Sequence, residues 1–102
     1  MNSKNNFNNR CYKIVSCIPK GKISTYGDIA KVLGTKAYQA VGNAMAKNPN
    51  LISVPCHRVI KSDGSIGGYA LGTSKKITLL KKEGIIIKNG NVSNFKNLIH
   101  RF

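Results

Sequence analysis

Residues 24–49 read STYGDIAKVLGTKAYQAVGNAMAKNP, and this stretch decides the fold class. Ser24 and Thr25 carry hydroxyls placed to cap a short helix bearing Ile29, Ala30, Val32 and Leu33, which Gly34 ends. Thr35 is placed to cap a second helix, where Ala37, Ala40, Val41, Ala44 and Met45 recur at helical spacing up to Asn48 and Pro49. Two short helices joined by a turn containing glycine predict a helix-turn-helix. The outer face of the second helix is thin, since Gln39, Gly42, Asn43 and Ala46 are all small or uncharged. Two readings of that face stand at this point: entry into a confined groove, or close packing on another helix.

Upstream, Cys11, Ile14, Val15 and Ile18 fall on one face of an amphipathic helix that Pro19 and Gly21 terminate. The polar, Asn-rich residues 1–9 are expected to form a flexible lead-in, with 10–102 as a single domain. Downstream, Ile52-Ser53-Val54 alternates and Val59-Ile60 is β-branched, both strand signals, and Ser62-Asp63-Gly64-Ser65 is a turn. Gly67, Gly68 and Gly72 make the segment around Tyr69 loop-like. Thr73 is placed to cap a last clear helix with Ile77, Leu79 and Leu80, stopped by Gly84. Asn89-Gly90 predicts a small hairpin before a short ending with Phe95, Leu98 and Ile99. The fold class expected is mainly α with a small strand-and-loop element.

A chain of 102 residues has room for one domain. Seventeen Lys and Arg against three Asp and Glu leave a net charge of +14. That excess argues against an acidic or neutral small-molecule enzyme and for a polyanionic partner, a nucleic acid or an anionic membrane surface. A hydrophobic share of 41% separates the chain from disordered basic tails. No apolar run approaches the ~20 residues of a membrane span, and the N-terminus has no apolar signal core. Cys11, Cys17 and Cys56 are too few and too scattered for a disulfide framework, which points to a reducing, cytoplasmic setting, or a nuclear one in a eukaryote. With no C-x-x-C and two His, the reading assigns no metal and no cofactor.

The chemistry concentrates in Val54-Pro55-Cys56-His57-Arg58-Val59-Ile60. A thiol beside His and Arg sits in an electropositive place that favours the nucleophilic thiolate. In an extended segment neighbouring side chains point apart, so Cys56 and His57 need a bend or a bridging water to act together. A buried, inert cysteine is the competing reading of these residues. Lys75, Lys76, Lys81 and Lys82 read as a solvated helix face, and Arg58 as structural or facing phosphate.

Seven collinear motifs carry a family resemblance: Ile18-Pro19-x-Gly21, Tyr26-Gly27-Asp28-Ile29-Ala30, Ala40-Val41-Gly42-Asn43-Ala44, Asn48-Pro49, Pro55-Cys56-His57-Arg58-Val59-Ile60, Gly67-Gly68-Tyr69 and Leu79-Leu80-x-x-Glu83-Gly84. Over about residues 10–90 the chain resembles the C-terminal active-site domain of the O6-alkylguanine-DNA alkyltransferases. The family's N-terminal ribonuclease-H-like domain, with any metal site in it, is expected to be missing. The resemblance implies a winged helix-turn-helix-like DNA-binding domain and a monomer that acts on double-stranded DNA and not on membranes. Its implied function is DNA repair: irreversible transfer of the alkyl group of O6-alkylguanine, and of O4-alkylthymine, to Cys56 after minor-groove binding and base flipping.

In that scheme the Cys56 thiolate attacks the alkyl carbon, His57 acts through a water as base for the thiol, and Glu83 orients the imidazole. Tyr26 donates its hydroxyl to the guanine ring and crowds the phosphate. Gln39, Gly42 and Asn43 enter the minor groove, with Tyr38 and Arg58 also assigned to the DNA. Carbonyls of Cys56 and Val59 hold the exocyclic amine, Tyr69 and Ala70 close the pocket, and Asn48 belongs to the pocket by tying the helix-turn-helix to the active-site strand. One departure stands out. The family's recognition helix usually carries an Arg that fills the gap left by the flipped nucleotide, and Gln39 holds that position here. The alternative from another class is a non-catalytic, alkyltransferase-like lesion-binding protein; those replace the reactive cysteine, whereas Cys56 is present.

Overall fold

The computed structural model describes residues 3–51 and 53–102, with side chains from Phe7 onward. Helix α1 runs Ser3–Val15 and takes in most of the stretch expected to lie outside the domain. Asparagine is a poor helix former, but Phe7, Cys11 and Val15 recur every four residues. Cys11 and Val15 are fully buried, with Phe7 packed against the same core. Tertiary burial of that stripe outweighs the weak propensity of the residues between.

After Pro19 the chain turns through Gly21, whose φ is +88°, into β1, Ser24–Thr25. Thr25 then caps α2, Tyr26–Val32, its Oγ1 accepting from the Asp28 N–H at 3.0 Å. Helix α3, Tyr38–Ala46, follows. Thr35 does not cap it. Its Oγ1 accepts from Ala37 N at 3.1 Å, one turn residue too early, and Ala37 is the cap, with no side-chain bond. Val41, Ala44 and Met45 face inward, and Tyr12 of α1 donates to the Ala44 carbonyl at 2.9 Å, seating α3 on α1.

A 3-10 turn, Cys56–Arg58, leads into β2, Val59–Ile60. Of the strand expected over 52–54, Ile52 lies outside the described residues. Ser53 and Val54 belong to a turn, closed by Val54 N donating to Asn50 O at 3.0 Å. Strands β1 and β2 pair in parallel, Ser24 opposite Val59 and Thr25 opposite Ile60. Alternation along β2 divides the interior, since Val59 enters the core under α1, α2 and α3 while Ile60 enters a second core with Ile23, Ile66 and Leu80.

Helix α4, Thr73–Lys82, is entered through Gly72 at φ +96°, so Thr73 is its first residue and not its cap. Strands β3, Ile87–Lys88, and β4, Asn91–Val92, form the expected hairpin, with Asn89 and Gly90 both at positive φ. Ile66 N donates to Gly90 O and Val92 N to Gly64 O, so the 62–66 turn joins the hairpin as a small wing. Helix α5, Phe95–Leu98, closes the wing. Ile99 bridges in parallel to Ile23, adding a third segment beside β1. The architecture is mainly helical, with a helix-turn-helix and a wing. Among the described residues no helix is long and apolar enough to cross a membrane.

The wing has one tight point. Gly64 has φ +92°, and a Cβ there would lie 2.6 Å from the Phe95 ring. Gly64→Ala is expected to cost about 1–3 kcal/mol, combining steric overlap with a left-handed backbone. In a Phe95→Ala background the overlap disappears, so urea unfolding of the double-mutant cycle should show a coupling of about 1 kcal/mol or more.

Candidate active site

The Cys56 side chain sits where three elements meet: the start of α2, the outer face of α3 and the loop before α4. A cavity of about 260 Å³ opens there. Tyr26 from α2, Gly42 and Ala46 from α3, and Gly68, Tyr69 and Ala70 from the loop form its wall around Cys56. The thin face of α3 is therefore not helix packing. Gln39, Asn43 and Ala46 are exposed, and nothing lies within 4 Å of where a Gly42 Cβ would stand. Tyr38, at the start of α3, is 58% exposed.

The 3-10 turn supplies the bend that an extended reading of Cys56-His57 lacked, since successive side chains on such a turn fan out by a third of a rotation. His57 is buried, and its Nε2 lies 3.0 Å from Oε2 of Glu83 at the end of α4. A carboxylate only accepts, so Nε2 carries the proton and, in the neutral ring, Nδ1 is the basic nitrogen. Nδ1 is buried and has no hydrogen-bond partner among the described residues. Burial pushes the His57 pKa below its ordinary 6.5 against the upward pull of Glu83, which keeps the ring neutral at pH 7.

Of the two readings of Arg58, as a structural residue or as one facing phosphate and assigned to the DNA, its hydrogen bonds match the structural one. Its Nε and Nη2 donate to the two Glu83 oxygens at 2.9 and 2.6 Å, and Nη1 donates to the Ile18 carbonyl at 2.7 Å. Glu83 is the nearest strong acceptor in a chain with three acids, and it captures the guanidinium. Burial alone raises the Glu83 carboxyl, but the bonds from Arg58 and His57 outweigh it and hold the group below its usual range.

Two further residues assigned to the pocket lie behind it. Asn48 does not line the cavity. Its Nδ2 donates to Val54 O at 3.0 Å and its Oδ1 accepts from Asn50 N, which ties the end of α3 to the Cys56 turn. The Val59 side chain is fully buried, and the Val59 carbonyl accepts from Lys76 Nζ at 2.6 Å. The Cys56 carbonyl accepts from the Val59 N–H, and each oxygen keeps a second lone pair.

Lys76, read from the sequence as part of a solvated helix face, is instead turned into the interior. It is fully buried, donates also to Gly68 O at 3.1 Å, and lies 5.8 Å from the Tyr26 ring centre. The signal was present in the spacing: Lys76, Leu80 and Glu83 share one face of α4 at i, i+4 and i+7, and that face is the inward one. The positive charge acting on the thiol thus comes from Lys76 and not Arg58. Burial pushes the Cys56 thiol above its ordinary value, and the Asn48 hydrogen bond and the Lys76 charge pull it back. Burial likewise keeps the Tyr26 hydroxyl protonated, and so a donor.

Comparison with known proteins places this geometry. Residues 6–85 match the family model described as "6-O-methylguanine DNA methyltransferase, DNA binding domain", a description that replaces the active-site-domain label of the sequence reading. A methylated-DNA–protein-cysteine methyltransferase of Metallosphaera sedula is 46% identical over 84 residues, covering 82% of this chain and 53% of its own. A bifunctional methyltransferase/endonuclease of Picrophilus torridus is 45% identical over 82 residues, 79% of this chain and 28% of its own. The chain thus spans about half or less of these curated relatives. The S. pombe protein Atl1, solved in complex with damaged DNA containing O6-carboxymethylguanine, is 32% identical with a TM-score of 0.81, covering 95% of this chain and 96% of its own.

Lys76 gives a measurable signature. Burial lowers its pKa from 10.5 to about 8, with Cys56 pulling it back up. Between those values the unfolded chain holds a proton that the folded chain has released, so stability rises with pH across the window. Relative to Lys76→Met, the wild-type protein should gain about 2–4 kcal/mol of unfolding free energy as pH rises from 8 to 10.5. Urea unfolding at each pH reads this directly, and a gap that does not move with pH contradicts a charged lysine in the interior.

Proposed function

The chain belongs to the 6-O-methylguanine DNA methyltransferase family, matched through the DNA-binding domain, and on that premise we propose that it repairs DNA by taking the alkyl group of O6-alkylguanine onto its own Cys56. The observation that carries this reading is the placement of Cys56 in the wall of the cavity, next in the chain to a buried, Glu83-bound His57. A purely binding module has no use for a buried base beside a thiol.

The chemistry follows from the groups present. Double-stranded DNA is held by the basic chain, with the exposed face of α3 in the minor groove and Gln39 and Tyr38 at the gap left by the extruded base. Flipping costs a few kcal/mol, least at a damaged pair. His57 Nδ1 takes the thiol proton through one water, and the sulfur then forms a bond to the alkyl carbon while the carbon–O6 bond breaks. The electron pair leaves on the guanine, where the Tyr26 hydroxyl supplies a hydrogen bond to the ring. Tyr69 and Ala70 roof the base. No group in this scheme removes the alkyl from sulfur, so each molecule reacts once, with O4-alkylthymine as a second substrate of the same geometry.

The second reading, a lesion-binding protein without transfer, draws on the likeness to Atl1 over nearly the whole of both chains. Intact mass separates the two. After mixing with a duplex containing O6-methylguanine, the protein should gain the mass of one CH₂ group and no more, and Cys56→Ala should gain nothing while still binding. Tight binding by the wild-type protein with no mass change would sink the transfer reading and leave the binding one.

A further inference from the structure

Helix α3 carries no basic side chain, so the charge that draws the chain to a polyanion lies elsewhere. Part of it gathers at one corner. The turn after α1 places exposed Lys20 and Lys22 on either side of Gly21, and the last turn of α4 carries exposed Lys81 and Lys82. Two contacts hold these pieces together. Arg58 bonds both the Ile18 carbonyl and Glu83, and a Cβ on Gly21 would lie 3.7 Å from the Glu83 backbone oxygen. No carboxylate balances the four ammonium groups among the described residues. Glu83 has its oxygens bound by Arg58 and His57, Asp63 is held in the 62–66 turn by Ser65, and Asp28 stands on α2. We propose that this corner binds a second segment of double-stranded DNA, so that one molecule holds two duplexes, one on α3 and one at the far end of α4. The proposal rests on the reading that the α3 face takes the damaged duplex.

Position separates the two sites. The roof loop borders the Cys56 cavity at the start of α4, and the lysines stand at its other end, ten residues or about 15 Å along the helix. The chemistry of the partner follows from the charge. Four like charges brought to one corner repel one another, and an extended polyanion relieves that repulsion where a small anion meets only one or two of them. Duplex DNA carries one phosphate per ~1.7 Å of its axis, which suits a spread group of lysines. An acidic protein fits less well. Protein interfaces are depleted in Lys and have an apolar core, whereas the corner sets its lysines among Pro19, Gly21 and Gly84, with Ile86 as the exposed apolar side chain beyond them. Interfaces with DNA are more polar and much more positively charged.

The test mixes the full chain with a fluorescent duplex containing O6-methylguanine and an undamaged duplex fixed to beads, at one protein per pair of duplexes. Fluorescence retained on the beads reads bridging. The wild-type protein should retain it, and the second duplex should be released by salt with a log–log slope of about −3 to −4, the value of about four phosphate contacts. Joint Lys20→Gln, Lys22→Gln, Lys81→Gln and Lys82→Gln should lower retention about tenfold or more, with Cys56 still alkylated by the damaged duplex. Joint Lys13→Gln, Lys31→Gln, Lys75→Gln and Lys88→Gln removes the same charge from other exposed positions and should leave bridging in place. No retention by the wild-type protein, or an equal loss in both variants, overturns the proposal. So does sedimentation showing two protein molecules in each bridged pair, which assigns bridging to self-association. Polyglutamate that displaces the second duplex more readily than free DNA of equal charge gives the corner to an acidic protein and also overturns it. Bridging without alkylation removes the transfer reading and leaves the corner standing, and alkylation without bridging does the reverse.

Discussion

One carboxylate organises the site. Glu83 receives two hydrogen bonds from Arg58 and one from His57, and Arg58 passes the constraint on to the Ile18 carbonyl in the segment that follows α1. Three separate pieces of chain are fixed against one another by a single acid. Buried ion pairs of this kind add little to net stability, because desolvation offsets most of the attraction. Their effect here is positional: the imidazole has one available orientation, with its basic nitrogen turned away from Glu83. The carboxyl is held below its usual range, so this clasp is present above the ordinary carboxylate pKa and lost as pH falls through the depressed one.

Helix α4 braces the reactive turn twice, two helical turns apart. Glu83 holds His57 and Arg58 from one end, and Lys76 holds the Val59 and Gly68 carbonyls from the other. The Lys76 bonds join the floor strand of the pocket to its roof loop, and its charge is the one that acts on the sulfur. A small chain with few acids thus places one acid and one buried base at the point where ionisation state matters. Its remaining basic residues, mostly exposed, serve the long-range attraction to a polyanion.

Much of this was legible in the residues. The helix-turn-helix, the β-branched strand after Arg58, the Asn89-Gly90 hairpin and the collinear motifs all pointed to the observed architecture and family. What escaped had physical causes. Residues 3–9 are helical because Phe7, Cys11 and Val15 bury a stripe, a tertiary gain invisible to the propensity of an Asn-rich run. Thr35 and Thr73 are good capping residues displaced from the cap, since turn geometry and a positive-φ glycine decide where the helix starts. Lys76 looked like its exposed neighbour Lys75, and only the inward spacing with Leu80 and Glu83 distinguished it. For Arg58 the structural and phosphate-facing readings stayed open, because the sequence does not show that Glu83 lies opposite.

On this geometry His57 is a neutral base whose free nitrogen is Nδ1, held that way by Glu83. Nitrogen-15 chemical shifts of the His57 ring in the free protein test it without any substrate. The expected result is an uncharged ring at pH 7 with its proton on Nε2, and a titration midpoint below 6.5. An imidazolium at pH 7, or a neutral ring protonated on Nδ1, would contradict it.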